Sequence, residues 1–127
     1  MTTTKKAPTL QQIRDTVEKW QRRTFPTATS YGAVEHLARE ANELRAHFWR
    51  SDVLDVSDSP EVRQVPAHTI DVDAVAEEAA DVFFMLVALE CTVGFDLRAA
   101  VAAKLVKNME RRWGAPDERG VIEHDRM

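Results

Sequence analysis

The run Glu78-Ala79-Ala80-Asp81-Val82-Phe83-Phe84-Met85-Leu86-Val87-Ala88-Leu89 decides the fold. It lies inside a pattern that Asp73 opens and that reads as helix from Ala74 to Val93, apolar nearly all round from Ala79 onward. A helix apolar on most sides is covered on several sides, so this one is predicted to be central. Gly94 supplies a left-handed stop and Asp96 a cap for a following helix, which Leu97, Ala100, Val101 and Leu105 carry to about Trp113. Beyond it, Gly114, Pro116 and Gly120 predict an irregular tail.

On the N-terminal side two further helices are predicted. Thr9 caps one in which Leu10, Ile13, Val17 and Trp20 share a face, ending before the Thr24-Phe25-Pro26 turn. Ser30 caps another, with Val34, Leu37, Ala41, Leu44 and Phe48 at three- and four-residue steps. Between Arg50 and Asp71 lies a segment with Pro60, Pro66 and several aspartates, too long for an ordinary bundle connection. Its part from Val62 to Val72 is β-branched enough for a short hairpin or extended arm, although Pro66 opposes strand pairing. The expected class is all-α, a four-helix bundle with a long connection between helices 2 and 3.

A chain of 127 residues supports one domain with a real core, with 1–8 and 114–127 as terminal extensions. Hydrophobic residues at 44% and charged residues at 30% are the balance of a globular protein and not of a disordered one. A net charge of −4 with no basic block argues against a nucleic acid polymer as partner. No secretory signal or membrane span is legible, and the single cysteine, Cys91, sits in an apolar run as a small core residue. A soluble, cytoplasmic protein without membrane contact is expected.

Two acidic pairs interrupt these helices: Glu40-Ala41-Asn42-Glu43 in the second and Glu78-Ala79-Ala80-Asp81 in the third. Each pair, spaced i, i+3, sets two carboxylates one turn apart on neighbouring faces. Carboxylates on a helix ordinarily face water. Asp81, however, stands directly before Val82-Phe83-Phe84-Met85, and no lysine or arginine occurs between Asp71 and Arg98 to neutralise it. An unpaired buried charge is costly, and a hard divalent cation held by oxygen ligands removes the cost. Glu40 falls at the edge of the second helix's apolar stripe and Glu43 further round, where side chains enter a cleft between helices. His36 and His47 share that flank. The Glu-x-x-His spacing of di-iron bundles is absent, so both are read as neighbours of the site and not as ligands. Glu77 is read as solvated or as a neighbour supporting the site, and not as a primary ligand.

In the fourth helix Lys104, Asn108 and Arg111 recur at i, i+4, i+7 on the inward azimuth, as a clamp for phosphate would. Lys107 and Arg112 are read as complements to the helix dipole. Trp20, beside the Thr24-Phe25-Pro26 turn, is the best aromatic wall for a base; the bland reading of each tryptophan is packing.

With these residues assembled, the chain resembles the MazG-like all-α NTP pyrophosphatase superfamily, whose signature is ExxE on one helix and ExxD on the next. The resemblance is carried by His36-Leu37-Ala38-Arg39-Glu40 with Glu43, by Glu77-Glu78-Ala79-Ala80-Asp81-Val82-Phe83 running to Gly94-Phe95-Asp96-Leu97, and by Lys104-Leu105-Val106-Lys107-Asn108. Trp20-Gln21, Thr24-Phe25-Pro26, Arg112-Trp113-Gly114-Ala115-Pro116-Asp117 and Gly120-Val121-Ile122-Glu123-His124 are similar to the phage dATP/dGTP pyrophosphohydrolase branch. Two departures stand out: Arg39 where the family often carries another glutamate, and a long Glu43-to-Glu78 spacing.

The resemblance implies hydrolysis of purine deoxynucleoside triphosphates, dGTP or dATP, to the monophosphate and pyrophosphate. It implies Mg2+, with Mn2+ or Co2+ as substitutes, held by Glu40, Glu43, Glu78 and Asp81, with Glu40 or Glu43 accepting the proton of water. It further implies phosphate contacts from Lys104, Asn108 and Arg111, a homodimer or homotetramer, and residence in the host cytoplasm if phage-encoded. Two alternatives remain open in the sequence: a broad-specificity house-cleaning NTP pyrophosphatase, and a non-enzymatic helical adaptor whose acidic pairs are solvated.

Overall fold

The structure is a computed structural model that describes residues 6–50 and 63–124. Its elements are α1 (Leu10–Thr24), α2 (Ser30–Ala46), β1 (Trp49–Arg50), β2 (Arg63–Gln64), a 3-10 turn at Ala67–Thr69, α3 (Val72–Leu89), a π turn at Glu90–Gly94 and α4 (Leu97–Glu110). The fold is all-α with a minor two-stranded ladder, as the periodicity predicts. The chain divides into two compact units, Met1–Gly94 and Phe95–Met127.

In the first unit α3 packs against both α2 and α1, the central role its all-round apolar surface predicts. Val87 of α3 is fully buried, and Val17 of α1 and Ala33 of α2 are buried with it. The caps are local. Thr9 accepts from the Gln12 amide while the Gln12 side chain accepts from the Thr9 amide, a capping box that satisfies two otherwise orphaned donors. Thr29 and not Ser30 caps α2, accepting from Gly32 N at 3.1 Å, and Asp71 and not Asp73 caps α3, accepting from Ala74 N at 3.1 Å. The N-cap residue must be extended while its side chain reaches back to the third amide, and Thr29 and Asp71 are the residues with extended backbone.

The α2 stripe is rotated from the predicted one. The covered positions are Ala33, Leu37, Glu40, Leu44 and His47, whereas Val34, Ala41 and Phe48 are exposed. This places Glu40 and His47 within the packed face and not at its edge. α3 ends earlier than predicted, at Leu89, and the π turn carries the chain to Gly94, whose φ of +89° is the left-handed stop.

At that end of α3 a charged network ties α1 to the core. Arg14 reaches the buried Glu90 and also hydrogen-bonds Asp15 and Glu18. Its guanidinium is held above its ordinary value, because these bonds outweigh burial, which opposes its charge. Burial pushes Glu18 up, but hydrogen bonds from Arg14, Cys91 and Arg22 outweigh it and leave the carboxyl below its usual range. Cys91 lies in this cluster, its Sγ 3.8 Å from Arg14 Nη2. Burial, followed by the hydrogen bond to Glu18 and that residue's charge, pushes its thiol up. The sequence reading puts Cys91 in the apolar core; the structure places it half-buried beside the charged Arg14–Glu18 cluster instead.

The hairpin is not confined to Val62–Val72 as the composition suggests. β1, which follows α2, pairs antiparallel with β2 in the register Trp49↔Gln64 and Arg50↔Arg63, and Val65 N extends the pairing to Phe48 O at 2.7 Å. Pro66 lacks the donor a ladder needs, and it caps the 3-10 turn instead. Residues 51–62, the rest of the long connection, lie outside the described residues.

In the second unit Asp96 caps α4 through Ala99 N. The tail is more regular than its glycines and prolines suggest. Trp113 and His124 form an antiparallel bridge, Gly114 N donates to Glu123 O at 2.9 Å, and the Asp117 carboxylate accepts from the amides of Arg119 and Val121. Among the described residues no helix is long and apolar enough to cross a membrane.

Candidate metal centre

Glu40 on α2 and Glu78 and Asp81 on α3 present one carboxylate oxygen each, all within 4.8 Å of one another. The packing of α2 on α3 brings Glu40, Glu78 and Asp81, three of the four carboxylates singled out in the sequence, to one place. Glu43 stands one turn further along α2, and its proximity and charge help to hold the Glu40 carboxyl up.

Burial falls on different members than the sequence suggests. Asp81, predicted to be buried among apolar neighbours, is exposed, since α3 leaves Ala79, Ala80 and Asp81 on its open side. The glutamates carry the desolvation instead: the side chains of Glu40 and Glu78 are 12% and 22% exposed. The Oε2 atoms of Glu40 and Glu78 are buried with no hydrogen-bond partner. Burial, and after it the proximity and charge of Glu43 and the charge of Asp81, hold the Glu40 carboxyl above the ordinary range, against the hydrogen bond from His36, which lowers it.

A hard divalent cation fits this donor set on each count. Oxygen ligands are what such an ion takes, the two orphaned oxygens would gain a partner, and the mutual repulsion would become attraction. Glu40, Glu78 and Asp81 could bind it directly, with Glu43 alongside.

The histidines flank the carboxylates, as expected. His36 Nε2 lies 2.9 Å from Glu40 Oε1, one turn away on α2, and His47 Nε2 lies 3.7 Å from Glu78 Oε1, across the α2–α3 interface. His36 hydrogen-bonds the Glu40 oxygen that is not orphaned, orienting that carboxylate and leaving Oε2 for a ligand, while His47 stands near Glu78 Oε1 beyond direct hydrogen-bond reach. Glu77 is exposed.

Trp20 is 42% exposed and packs edge-on against Phe25 at 5.6 Å and tilted against Phe84 at 6.0 Å, one turn beyond Asp81. Beside it Gln21 Nε2 donates to Phe84 O at 2.9 Å, while Gln21 Oε1 is buried without a partner. On α4, Asn108 and Arg111 are half-buried and joined, Arg111 Nη1 donating to Asn108 Oδ1 at 3.2 Å, whereas Lys104 is exposed. Asn108 also accepts from Trp113 Nε1 through its carbonyl at 3.0 Å.

The position of His47 beside Glu78 is one sequence reasoning underweighted. Its place at the end of the Ala33-Leu37-Glu40-Leu44 stripe is the signal that marks it. The Arg14–Glu90 pair, 76 residues apart, leaves no such local mark.

No known family profile matches the sequence, and no curated protein does. Among solved structures, the MazG-like pyrophosphohydrolase of cyanophage S-2L, bound to dGDP and three catalytic Mn2+ ions per active site, superposes with a TM-score of 0.62. It is 24% identical, and the match covers 94% of this chain and 96% of that one. At that identity the likeness speaks for the fold: the chain is built on the all-α fold of a MazG-like pyrophosphohydrolase.

Proposed function

We propose that the protein is a metal-dependent nucleoside triphosphate pyrophosphohydrolase, a single catalytic domain that cleaves purine deoxynucleoside triphosphates to the monophosphate and pyrophosphate in the cytoplasm. The observation that carries this reading is the cluster of Glu40, Glu78 and Asp81 with two buried, unpartnered oxygens. The fold shared with a protein that holds dGDP and Mn2+ supports the substrate class and the metal class. A divalent cation, Mg2+ or Mn2+, would supply charge for the phosphate oxygens and a more acidic water.

The chain's own groups have distinct tasks in this proposal. Glu40, Glu78 and Asp81 bind the cation, and His36 fixes the carboxylate of Glu40. Glu43, exposed one turn along α2 from Glu40, or Glu40 itself, takes the proton of the attacking water. Trp20 offers a half-exposed ring to the base. For Lys104, Asn108 and Arg111 the support is their chemistry, two cations and an amide that bind phosphate oxygens.

A homo-oligomer is part of the proposal. Val101, Leu105, Val106 and Met109 of α4 are each more than half exposed in the single chain, a costly surface for an isolated subunit.

Release of pyrophosphate from a panel of ribo- and deoxynucleotides tests the reading. Turnover is expected with dGTP or dATP, lost by at least about a hundredfold in Asp81→Asn and kept in Glu77→Gln. Equal rates across damaged and ordinary nucleotides would favour the house-cleaning specificity, and no turnover with any nucleotide would leave the helical adaptor.

A further inference from the structure

Among the described residues, three side-chain oxygens are buried with no hydrogen-bond partner: Glu40 Oε2, Glu78 Oε2 and Gln21 Oε1. The first two belong to the carboxylates already assigned to a cation. The third is an amide oxygen on α1, a different helix from those that carry the carboxylates. A buried acceptor left unmatched is destabilising, so its presence asks for a donor.

The orientation of this amide is fixed by its partner. Phe84 O is a carbonyl and only accepts, so the Gln21 atom 2.9 Å from it is the nitrogen. The oxygen is the other end, and what it takes is an N–H or an O–H. Phe84 also locates it. The Trp20 ring, 42% exposed, packs tilted against Phe84 at 6.0 Å and edge-on against Phe25 at 5.6 Å. Trp20 and Gln21 thus meet the same residue of α3, one turn beyond Asp81, a rise of about 4.5 Å along the helix. A ring for stacking and an acceptor for the edge of a base flank one residue, a single turn from a candidate metal ligand.

We propose that Gln21 Oε1 reads the base, accepting a hydrogen bond from an exocyclic amino group of the purine that stacks on Trp20. An amino group is a donor where an analogue without it carries only C–H, so the oxygen separates amino-bearing purines from those analogues. The 2-amino group of guanine and the 6-amino group of adenine share this chemistry. The oxygen is covered by its neighbours, and the base meets it after a rotation of side chains of the kind that accompanies ligand entry. The proposal rests on the pyrophosphohydrolase reading for the presence of a nucleotide, and adds to it the group that selects the base.

The test is calorimetric titration of two pairs of deoxynucleoside monophosphates into the full-length protein with Mn2+. dGMP and dIMP differ by the 2-amino group; dAMP and the monophosphate of purine deoxyriboside differ by the 6-amino group. One pair is expected to differ by about tenfold in Kd, the value of one hydrogen bond to a group otherwise left unmatched, and the pair that does so names the amino group. Gln21→Leu, of similar volume and without polar atoms, is expected to erase the difference by weakening the amino-bearing member and leaving its partner unchanged. Gln21→Glu, whose protonated carboxyl keeps a donor for Phe84 O and an acceptor beside it, is expected to retain the difference.

A Gln21 that only supports the fold predicts otherwise: Gln21→Leu would lower all four affinities alike, which overturns the proposal. Equal affinities within both pairs for the unaltered protein, the result if the oxygen serves only a bound water, overturn it too, as does binding of none of the four. The pyrophosphohydrolase reading fails separately. A pair that differs in the unaltered protein and converges in Gln21→Leu, with no pyrophosphate released from any triphosphate, keeps Gln21 as the reader of a base and removes the hydrolase. Turnover with equal affinities within both pairs keeps the hydrolase and removes the reader.

Discussion

Adding Mn2+ to metal-free protein should raise its melting temperature, and the size of the rise follows from linkage. A cation that binds only the folded chain at about 100 times its Kd contributes about 2.7 kcal/mol. Unfolding entropy of about 2.1 cal/mol/K per residue amounts to about 0.27 kcal/mol/K over 127 residues, so the transition should move by about 10 °C. The binding sites are carboxylates that repel one another when empty, so Asp81→Asn should leave the metal-free transition unchanged or slightly higher while removing most of the Mn2+ response. Glu40 adds a pH dependence with a definite sign. Its folded-state value is raised, so the metal-free protein gains from its proton at low pH and loses that gain as pH rises through the raised value. Cation binding needs the ionised form, and the Mn2+ shift should therefore shrink as pH falls. Differential scanning calorimetry in EDTA and in excess Mn2+ measures each quantity. The reasoning is refuted if Asp81→Asn and the unaltered protein show equal Mn2+ shifts.

Three further outcomes are expected. Arg14→Met should destabilise by about 3 kcal/mol in urea denaturation, because the buried Glu90 carboxylate loses its guanidinium, and adding Glu90→Gln should restore part of the loss. Glu18 is held below its ordinary value, so the stability it contributes is present above the usual carboxylate range and lost as pH falls through the folded value; Arg14→Met should flatten that acid limb in melting curves between pH 6 and 3. Trp20→Ala should raise KM for a purine nucleotide about tenfold with little change in kcat, as loss of a stacking wall does, whereas an unchanged KM removes Trp20 from the base pocket.

What the sequence disclosed and what it hid follow from range. The ExxE and ExxD pairs were legible because three-residue spacing on a helix is a local fact, and two apolar helices adjacent in sequence pack together. The rotation of the α2 stripe was not, because Val34, Ala41 and Phe48 satisfy the helical period as well as Ala33, Leu37 and Leu44 do. Only the polar Glu40 and His47 on that second set distinguish it, and polar residues count against a core assignment in any pattern of hydrophobicity. The caps slipped by one or two residues where two capping side chains stand near each other, Thr29 with Ser30 and Asp71 with Asp73. Asp81 was misread as buried because its apolar neighbours in sequence turn to other faces of α3. The Arg50↔Arg63 pairing and the Arg14–Glu90 bond depend on contacts between distant segments, which no local period encodes.

The most direct test of the central claim is the anomalous scattering of Mn2+ in crystals of the unaltered protein grown with the ion. The account predicts peaks bounded by the carboxylates of Glu40, Glu78 and Asp81, with Glu40 Oε2 and Glu78 Oε2 among the ligands. Peaks elsewhere, with those two oxygens still unpartnered, would contradict it.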